Sequence, residues 1–284
     1  MKKLIITLFM LVVMTPCIYA KEMINVAFNI DNKYTTYALL TINSILKNNK
    51  SNSDYTFYVL HDGLSWWNKW RMKRFVHKHK QKIEFVYVDI PRRMGRGEHN
   101  EIYKKTLPYI SNIAMARIFI PDVLPKSVKK CIYLDCDTLV LTDLKELWNI
   151  CVTNYAVALS IDIYAHKTKD FLYPECLPYY NSGVILINVD YWRKNNTVEQ
   201  LVQYLRCHNL IFPDQDAINV ILKGKILTLD TKYNNLCMIS YNYPIYNKSS
   251  DCILHFASQI KPWSCFKMPY NMRYKNVCNF IDSL

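Results

Sequence analysis

A chain of 284 residues with 51% hydrophobic and 14% aromatic content can bury a full core, which excludes intrinsic disorder and makes one globular unit the natural expectation. The formal net charge of +13 and a pI of about 9.2 call for an anionic partner such as nucleic acid, a phospholipid surface or a phosphorylated glycan. No zinc-finger spacing, RNA-binding signature or basic arm is present, so nucleic acid is set aside.

Residues 1–20 read as an export signal: Lys2 and Lys3 precede an apolar run over 4–14, Pro16 breaks it, and Ala20 offers a cleavage point. The run is short for a bilayer span, with an uncleaved anchor and a buried strand as the alternatives. Removing Cys17 with the signal takes one from ten cysteines, and the odd remainder cannot pair fully within one chain. Cys131 and Cys252 lie in apolar strands and read as small core residues, with one or two disulfides as the alternative in an exported chain.

From residue 21 onward, short β-branched runs alternate with amphipathic segments, the pattern of an α/β fold with a mostly parallel sheet flanked by helices. Strands are predicted at 24–30, 55–60 and 83–88, with helices at 34–48 and 66–82 between them. The second helix carries three tryptophans and many cations. It reads as a crossover helix turning Trp66, Trp70 and Val76 toward the core, or as a segment lying on an anionic membrane. Residues 91–111, opening PRRMGRGEHN, read as a loop able to cover a site. Beyond it, helices are predicted at 112–119, 197–208 and 214–222, strands at 131–134, 155–160 and 183–188, and a basic, aromatic C-terminal extension from about 266. Residues 21–284 are thus read as one domain.

The sharpest local feature is IYLDCDTLVLTDLKELW, in which an apolar strand ends abruptly at Asp135, Cys136 and Asp137. Two carboxylates at the carboxyl end of a parallel strand lie where α/β folds bind ligands, and a divalent cation relieves their repulsion. The D-x-D pattern alone also fits an ordinary loop or a helix-capping acid.

The surrounding blocks narrow the choice. In order they read NIAMARIFIPDVLP, the D-C-D segment, YYNSGVILINVDYW, FPDQDAINVILKGKILTLDTKYN and ILHFASQIKPW. This series resembles glycosyltransferase family eight, the family of the bacterial lipopolysaccharide galactosyl- and glucosyltransferases, over residues 24–265. The resemblance implies a GT-A fold, a UDP-glucose or UDP-galactose donor and transfer with retention of configuration. It makes Asp135, Asp137 and His255 metal ligands. Carboxylate oxygens, one imidazole and diphosphate oxygens suit Mn(II), with Mg(II) as the alternative.

By the same resemblance Asp31 reads the uracil base and Arg117 lies near the donor. Asp162, Asn181, Asp214 and Gln215 hold the transferred sugar, and Lys261 meets the diphosphate. Two departures stand out: Asn32 and Lys33 follow Asp31 where the family often has an acid or amide, and Ser258 replaces the glycine three residues before the lysine. The positive charge and the tryptophan-rich helix favour a glycan or glycolipid acceptor at a membrane, reached by export or at the cytoplasmic membrane face. The rival readings are a sugar-binding module of the same fold without catalysis, and a glycoside hydrolase with paired acids.

Overall fold

A computed structural model describes residues 23–94, 112–165, 177–239, 244–245, 251–257 and 261. The signal segment 1–20, nearly all of the 91–111 loop, Ser258 and the C-terminal extension lie outside the described residues.

The first half runs β1 (Met23–Asn29), α1 (Thr35–Lys47), β2 (Asp54–His61), α2 (Trp66–Lys78), β3 (Lys82–Tyr87) and the short α3 (Ile90–Arg93). A 3-10 helix (Asn112–Phe119) and α4 (Ile120–Val123) lead into β4 (Lys130–Leu134), β5 (Thr138–Val140) and α5 (Leu144–Trp148). Then come β6 (Val157–Ser160), β7 (Val184–Asn188), α6 (Val189–Lys194), α7 (Thr197–Cys207), α8 (Pro213–Ile221) and β8 (Ile226–Leu229). A second 3-10 helix (Thr231–Asn234) precedes β9 (Asn235–Leu236), β10 (Met238–Ile239), β11 (Pro244–Ile245) and β12 (Ile253–His255).

Seven strands form the central sheet in the order β3-β2-β1-β4-β7-β6-β8. Only β7 runs against its neighbours β4 and β6; every other pairing is parallel. Side-chain alternation along the strands builds a core on each face. Ile24, Val26 and Phe28 of β1 pack with Ala38 and Ile42 of α1 and with Met72 and Val76 of α2. Ala27, with Cys131 and Tyr133 of β4, packs on the other face with Ile118, Leu201 of α7 and Ile218 of α8. The helices therefore cover both faces, and the mostly parallel α/β expectation holds.

Three local outcomes differ from the sequence reading. Helix α2 buries Met72 and Val76, whereas Trp66 and Trp70 are 75% and 43% exposed and turn away from the core. Met72 and Val76 are spaced i, i+4 and define the inner face, and the tryptophans fall on the opposite side of the same helix. Residues 112–119 form a 3-10 helix instead of an α-helix. Pro121 explains the change: in a continuous α-helix its ring would meet the carbonyl four residues back, so the chain tightens and restarts with Pro121 in the first turn of α4. A small sheet ordered β5-β12-β9 was not expected at all.

His61 ends β2 buried, and its Nδ1 accepts the Leu64 amide hydrogen at 3.2 Å, a bond that requires the neutral ring. Burial, helped by the charge of Lys69, pushes its imidazole down to about 4. The unfolded chain takes up this proton near 6.5, so between those values it binds more protons than the folded chain, and stability falls as pH falls. Denaturant midpoints should record a loss of up to roughly 3 kcal/mol from this group between neutral pH and pH 4. The variant His61→Asn keeps an acceptor for Leu64 and should lose that part of the slope; an unchanged slope would contradict the assignment.

Candidate active site

The D-C-D segment starts where β4 stops. The Asp135 amide donates to the Gly183 carbonyl at 2.8 Å, carrying the β4–β7 ladder one step beyond the strand. Cys136 is buried, with its Sγ 3.5 Å from the Asn29 carbonyl. Helix α1 fixes the path of the chain from there into β5: Thr41 Oγ1 lies 3.2 and 2.8 Å from the carbonyls of Cys136 and Thr138, sharing one hydrogen. One turn on, Ser44 Oγ accepts the Val140 amide hydrogen at 3.0 Å and Asn48 Nδ2 donates to the Val140 carbonyl at 2.9 Å. These polar positions at i, i+3 and i+7 hold β5 against the helix, so the turn bearing both carboxylates has fixed ends.

His255 closes the cluster from β12, which pairs antiparallel with β5 and sets His255 opposite Thr138. Its Nε2 lies 3.7 Å from Asp135 Oδ2 and 3.4 Å from Asp137 Oδ1, and the three ligand atoms all fall within 4.8 Å of one another. Gly183 makes room for the ring: a Cβ there would stand 2.1 Å from His255 Cε1. Among the described residues this is the group whose donor atoms suit a divalent cation.

The imidazole orientation is set by a chain of donors and acceptors. The Gly183 amide can only donate, and it donates to Asn181 Oδ1 at 2.9 Å. Asn181 Nδ2 therefore faces Asp162 Oδ2 at 3.1 Å, while Asn234 Nδ2 reaches Asn181 Oδ1 at 2.9 Å. That leaves Asn234 Oδ1 to accept from His255 Nδ1 at 2.9 Å. Nδ1 therefore carries a hydrogen, so that when the ring is neutral its Nε2 lone pair faces the two carboxylates, the tautomer a metal ligand needs. The residues present thus fit a divalent cation.

A second set of polar groups adjoins the first. Asp162 Oδ2 also accepts from Gln215 Nε2 at 3.2 Å, and Gln215 Oε1 accepts the Ser182 amide hydrogen at 3.0 Å. Asp214 Oδ2 accepts from Ser182 Oγ at 3.1 Å and lies 3.1 Å from Arg117 Nε. Asp216 accepts from the Ile211 and Phe212 amides at 3.0 and 2.9 Å and from the Tyr179 hydroxyl, capping the start of α8. Asp162, Asn181, Asp214 and Gln215 are all buried, and they converge beside the Asp135–Asp137–His255 cluster as the sequence reading grouped them.

Arg117 is neither a surface residue nor on an α-helix. Its guanidinium is buried, pairs with Asp135 Oδ1 at 2.9 Å and donates to the Ser182 carbonyl at 2.8 Å, over the Tyr133 ring at 4.6 Å. Lys261 Nζ reaches Asp137 Oδ2 at 2.5 Å and the Phe256 carbonyl at 2.7 Å, which puts a cation at the edge of the cluster. Asp31 Oδ1 accepts from the amides of Lys33 and Tyr34 at 2.9 and 3.0 Å, ordering the loop into α1. Ser258 lies outside the described residues.

Burial works against charge on both carboxylates of the D-C-D segment. It prevails at Asp135, whose carboxyl is raised although Arg117 opposes it; at Asp137, His255 and Lys261 outweigh it and hold the carboxyl below the usual range. The Tyr34 hydroxyl is pushed up to about 12, first by burial and then by the charges of Asp137, Cys136, Asp31 and Asp135, so it stays protonated beside the cluster. Tyr34, Gly183 and Asn234 are site residues the sequence did not single out. A glycine next to asparagine and serine was the one available hint.

Two substitutions test this geometry. Gly183→Ala drives a methyl into His255 and should weaken Mn(II) binding, read by calorimetry, on the order of 10–100-fold with the fold retained. Arg117→Met leaves the buried Asp214 and the half-buried Asp135 without their guanidinium partner and should cost about 3 kcal/mol in urea unfolding. Unchanged metal affinity in the first, or unchanged stability in the second, would contradict these roles.

Comparison with known proteins identifies the family and the fold. General stress protein A of Bacillus subtilis (strain 168) is 30% identical over 273 residues, covering 89% of this chain and 92% of that protein. The lipopolysaccharide 1,2-glucosyltransferase of Escherichia coli (strain K12) is 22% identical, over 92% of this chain and 78% of its own length. Among solved structures, the galactosyltransferase LgtC in complex with donor and acceptor sugar analogues superposes with a TM-score of 0.74 at 20% identity, covering 92% of this chain and 96% of that one. Residues 25–266 match the sequence profile of glycosyl transferase family 8. With the central sheet and the edge cluster already in place, the chain belongs to glycosyl transferase family 8 and is a glycosyltransferase of GT-A fold.

Proposed function

We propose that the chain is a retaining, Mn(II)-dependent hexosyltransferase moving glucose or galactose from a UDP-sugar to a glycan or glycolipid acceptor. The observation that carries this reading is the adjacency of two sites at one edge of the sheet: a carboxylate–carboxylate–imidazole cluster flanked by Lys261, and the buried amide and carboxylate set of Asp162, Asn181, Asp214 and Gln215. The first suits a metal-bound diphosphate and the second a hexose. A glycoside hydrolase has no need of the first site.

Asp135, Asp137 and His255 would hold the cation. When bound, it supplies Lewis-acid stabilisation of the diphosphate leaving group. Lys261 adds a fixed positive charge where negative charge develops. Asp31 and the amides it organises lie just beyond the end of β1 and would meet the base.

The acids around Gln215 favour same-face attack over a covalent double displacement. Asp214 is engaged by Arg117 and Ser182, and Asp216 by Tyr179 and two backbone amides, so neither presents an unengaged carboxylate as a nucleophile. Gln215, anchored at both ends of its amide, offers no carboxylate at all.

The deciding experiment is a donor screen that measures UDP release with each nucleotide-sugar and metal. EDTA should abolish release, and Mn(II) should restore it better than Mg(II) or Ca(II). Asp137→Asn should lower the rate on the order of 100-fold, and His255→Ala less steeply. Full activity of Asp135→Asn plus Asp137→Asn in EDTA would sink the metal reading. Proton NMR of the new linkage should show an α-product from the α-donor; a β-product ends the retaining assignment, and a sugar ester trapped on Asp214 or Asp216 overturns same-face attack.

A further inference from the structure

Helix α2 has two unlike sides. Met72 and Val76 are fully buried, while on the other side Trp66, Trp67 and Trp70 are 75%, 51% and 43% exposed. The three indoles form one plate: Trp67 and Trp70 stack at 4.8 Å, and Trp66 meets Trp67 edge-on at 5.6 Å. Arg74 extends the plate, its guanidinium 5.2 Å from the Trp70 ring. Half of the six tryptophans of the chain are thus gathered on one solvent-facing patch.

Every charged residue of α2 and of the turn that follows it is a cation. Lys69, Arg71, Lys73, Arg74, Lys78, Lys80 and Lys82 fall between residues 65 and 82, with no aspartate or glutamate in that span. An apolar plate on a helix whose charged residues are all cations points by complementarity to an anionic partner. The cores of protein interfaces are depleted of lysine. Tryptophan, by contrast, settles at the headgroup layer of a bilayer, and lysine and arginine are drawn to anionic headgroups. At 13 residues α2 is too short to cross a membrane, and no helix among the described residues is long and apolar enough to do so.

We propose that the outer face of α2 docks the enzyme flat on an anionic lipid surface, the indoles entering the headgroup layer and the cations pairing with lipid charge. The position of the patch gives the docking a consequence. Asn32, next to Asp31, accepts through Oδ1 from the Ser65 amide at 2.9 Å and from Asn68 Nδ2 at 2.9 Å, and donates to the Gly63 carbonyl at 3.2 Å. The first turn of α2 is therefore tied to the loop at the carboxyl end of β1, the sheet edge that carries the site. Docking sets that edge beside the headgroups, where a lipid-linked acceptor is presented. Vesicle binding itself needs no sugar nucleotide and does not rest on the donor reading.

The test compares the full chain with its Trp66→Ser/Trp67→Ser/Trp70→Ser variant by flotation on vesicles of phosphatidylcholine alone and of phosphatidylcholine with about one third phosphatidylglycerol. The wild type should bind the anionic vesicles at least about tenfold more tightly, with a blue shift of tryptophan emission and weakening as salt is raised. The triple variant should lose at least about tenfold on the same vesicles, while its melting temperature and its UDP release in solution stay unchanged. Lys73→Gln and Arg74→Gln should each lower binding about fivefold. Equal binding of wild type and triple variant would overturn the proposal. Equal binding of the wild type to neutral and anionic vesicles, or tighter binding to single-stranded RNA or heparin than to anionic vesicles, would overturn it too.

Discussion

The buried guanidinium of Arg117 is the constraint on which the rest of the site depends. It pairs with Asp135 at the end of β4 and with Asp214 in the first turn of α8, and it donates to Ser182 just ahead of β7. Three elements distant in sequence are thus tied by one cation. Without it, the buried Asp214 and the half-buried Asp135 would lose the cation that pairs them, a situation costing several kcal/mol. The 3-10 geometry of residues 112–119, imposed by Pro121, belongs to the same arrangement, because Arg117 lies in that helix and its Nε also donates to the Ala114 carbonyl.

From that anchor the two halves of the site are coupled by hydrogen bonds whose directions are forced. Asp162 fixes Asn181, Asn181 fixes Asn234, and Asn234 fixes the hydrogen on His255 Nδ1. The set proposed to hold a sugar therefore also decides which nitrogen of His255 faces Asp135 and Asp137. A change on the sugar side is felt at the imidazole through two amides, a linkage expected to matter more in this buried setting than in water. Gly183 contributes by absence: any side chain there would occupy the space of the imidazole ring.

The central strands and long helices were legible in the sequence because their apolar periodicity is strong, and the strand ending in Asp135 was marked by its abrupt change from apolar to acidic. The partners β5, β9 and β12 were not, since strands of two or three residues are too short to show a period. The facing of α2 was misjudged because a tryptophan reads as core by hydrophobicity, whereas Met72 and Val76, with Phe75 partly buried beside them, meet the sheet. His255 was legible only through family resemblance; nothing in a lone histidine after an apolar pair announces a cluster with residues more than a hundred positions earlier. Asn234 was illegible altogether, because its role exists only once β9 and β12 are side by side.

The fold puts the metal-type cluster, the sugar-type cluster and the first turn of the tryptophan-bearing helix at one edge of the sheet. The proposed transfer to a surface-bound acceptor would need these three close together. The claim underlying the whole account is that Asp135, Asp137 and His255 bind one divalent cation. Crystals of the full chain grown with Mn(II), measured on either side of the manganese absorption edge, test it directly. A single anomalous peak is expected within bonding distance of one oxygen from each carboxylate and of His255 Nε2; a cluster without manganese, or manganese bound at another site only, would contradict that claim.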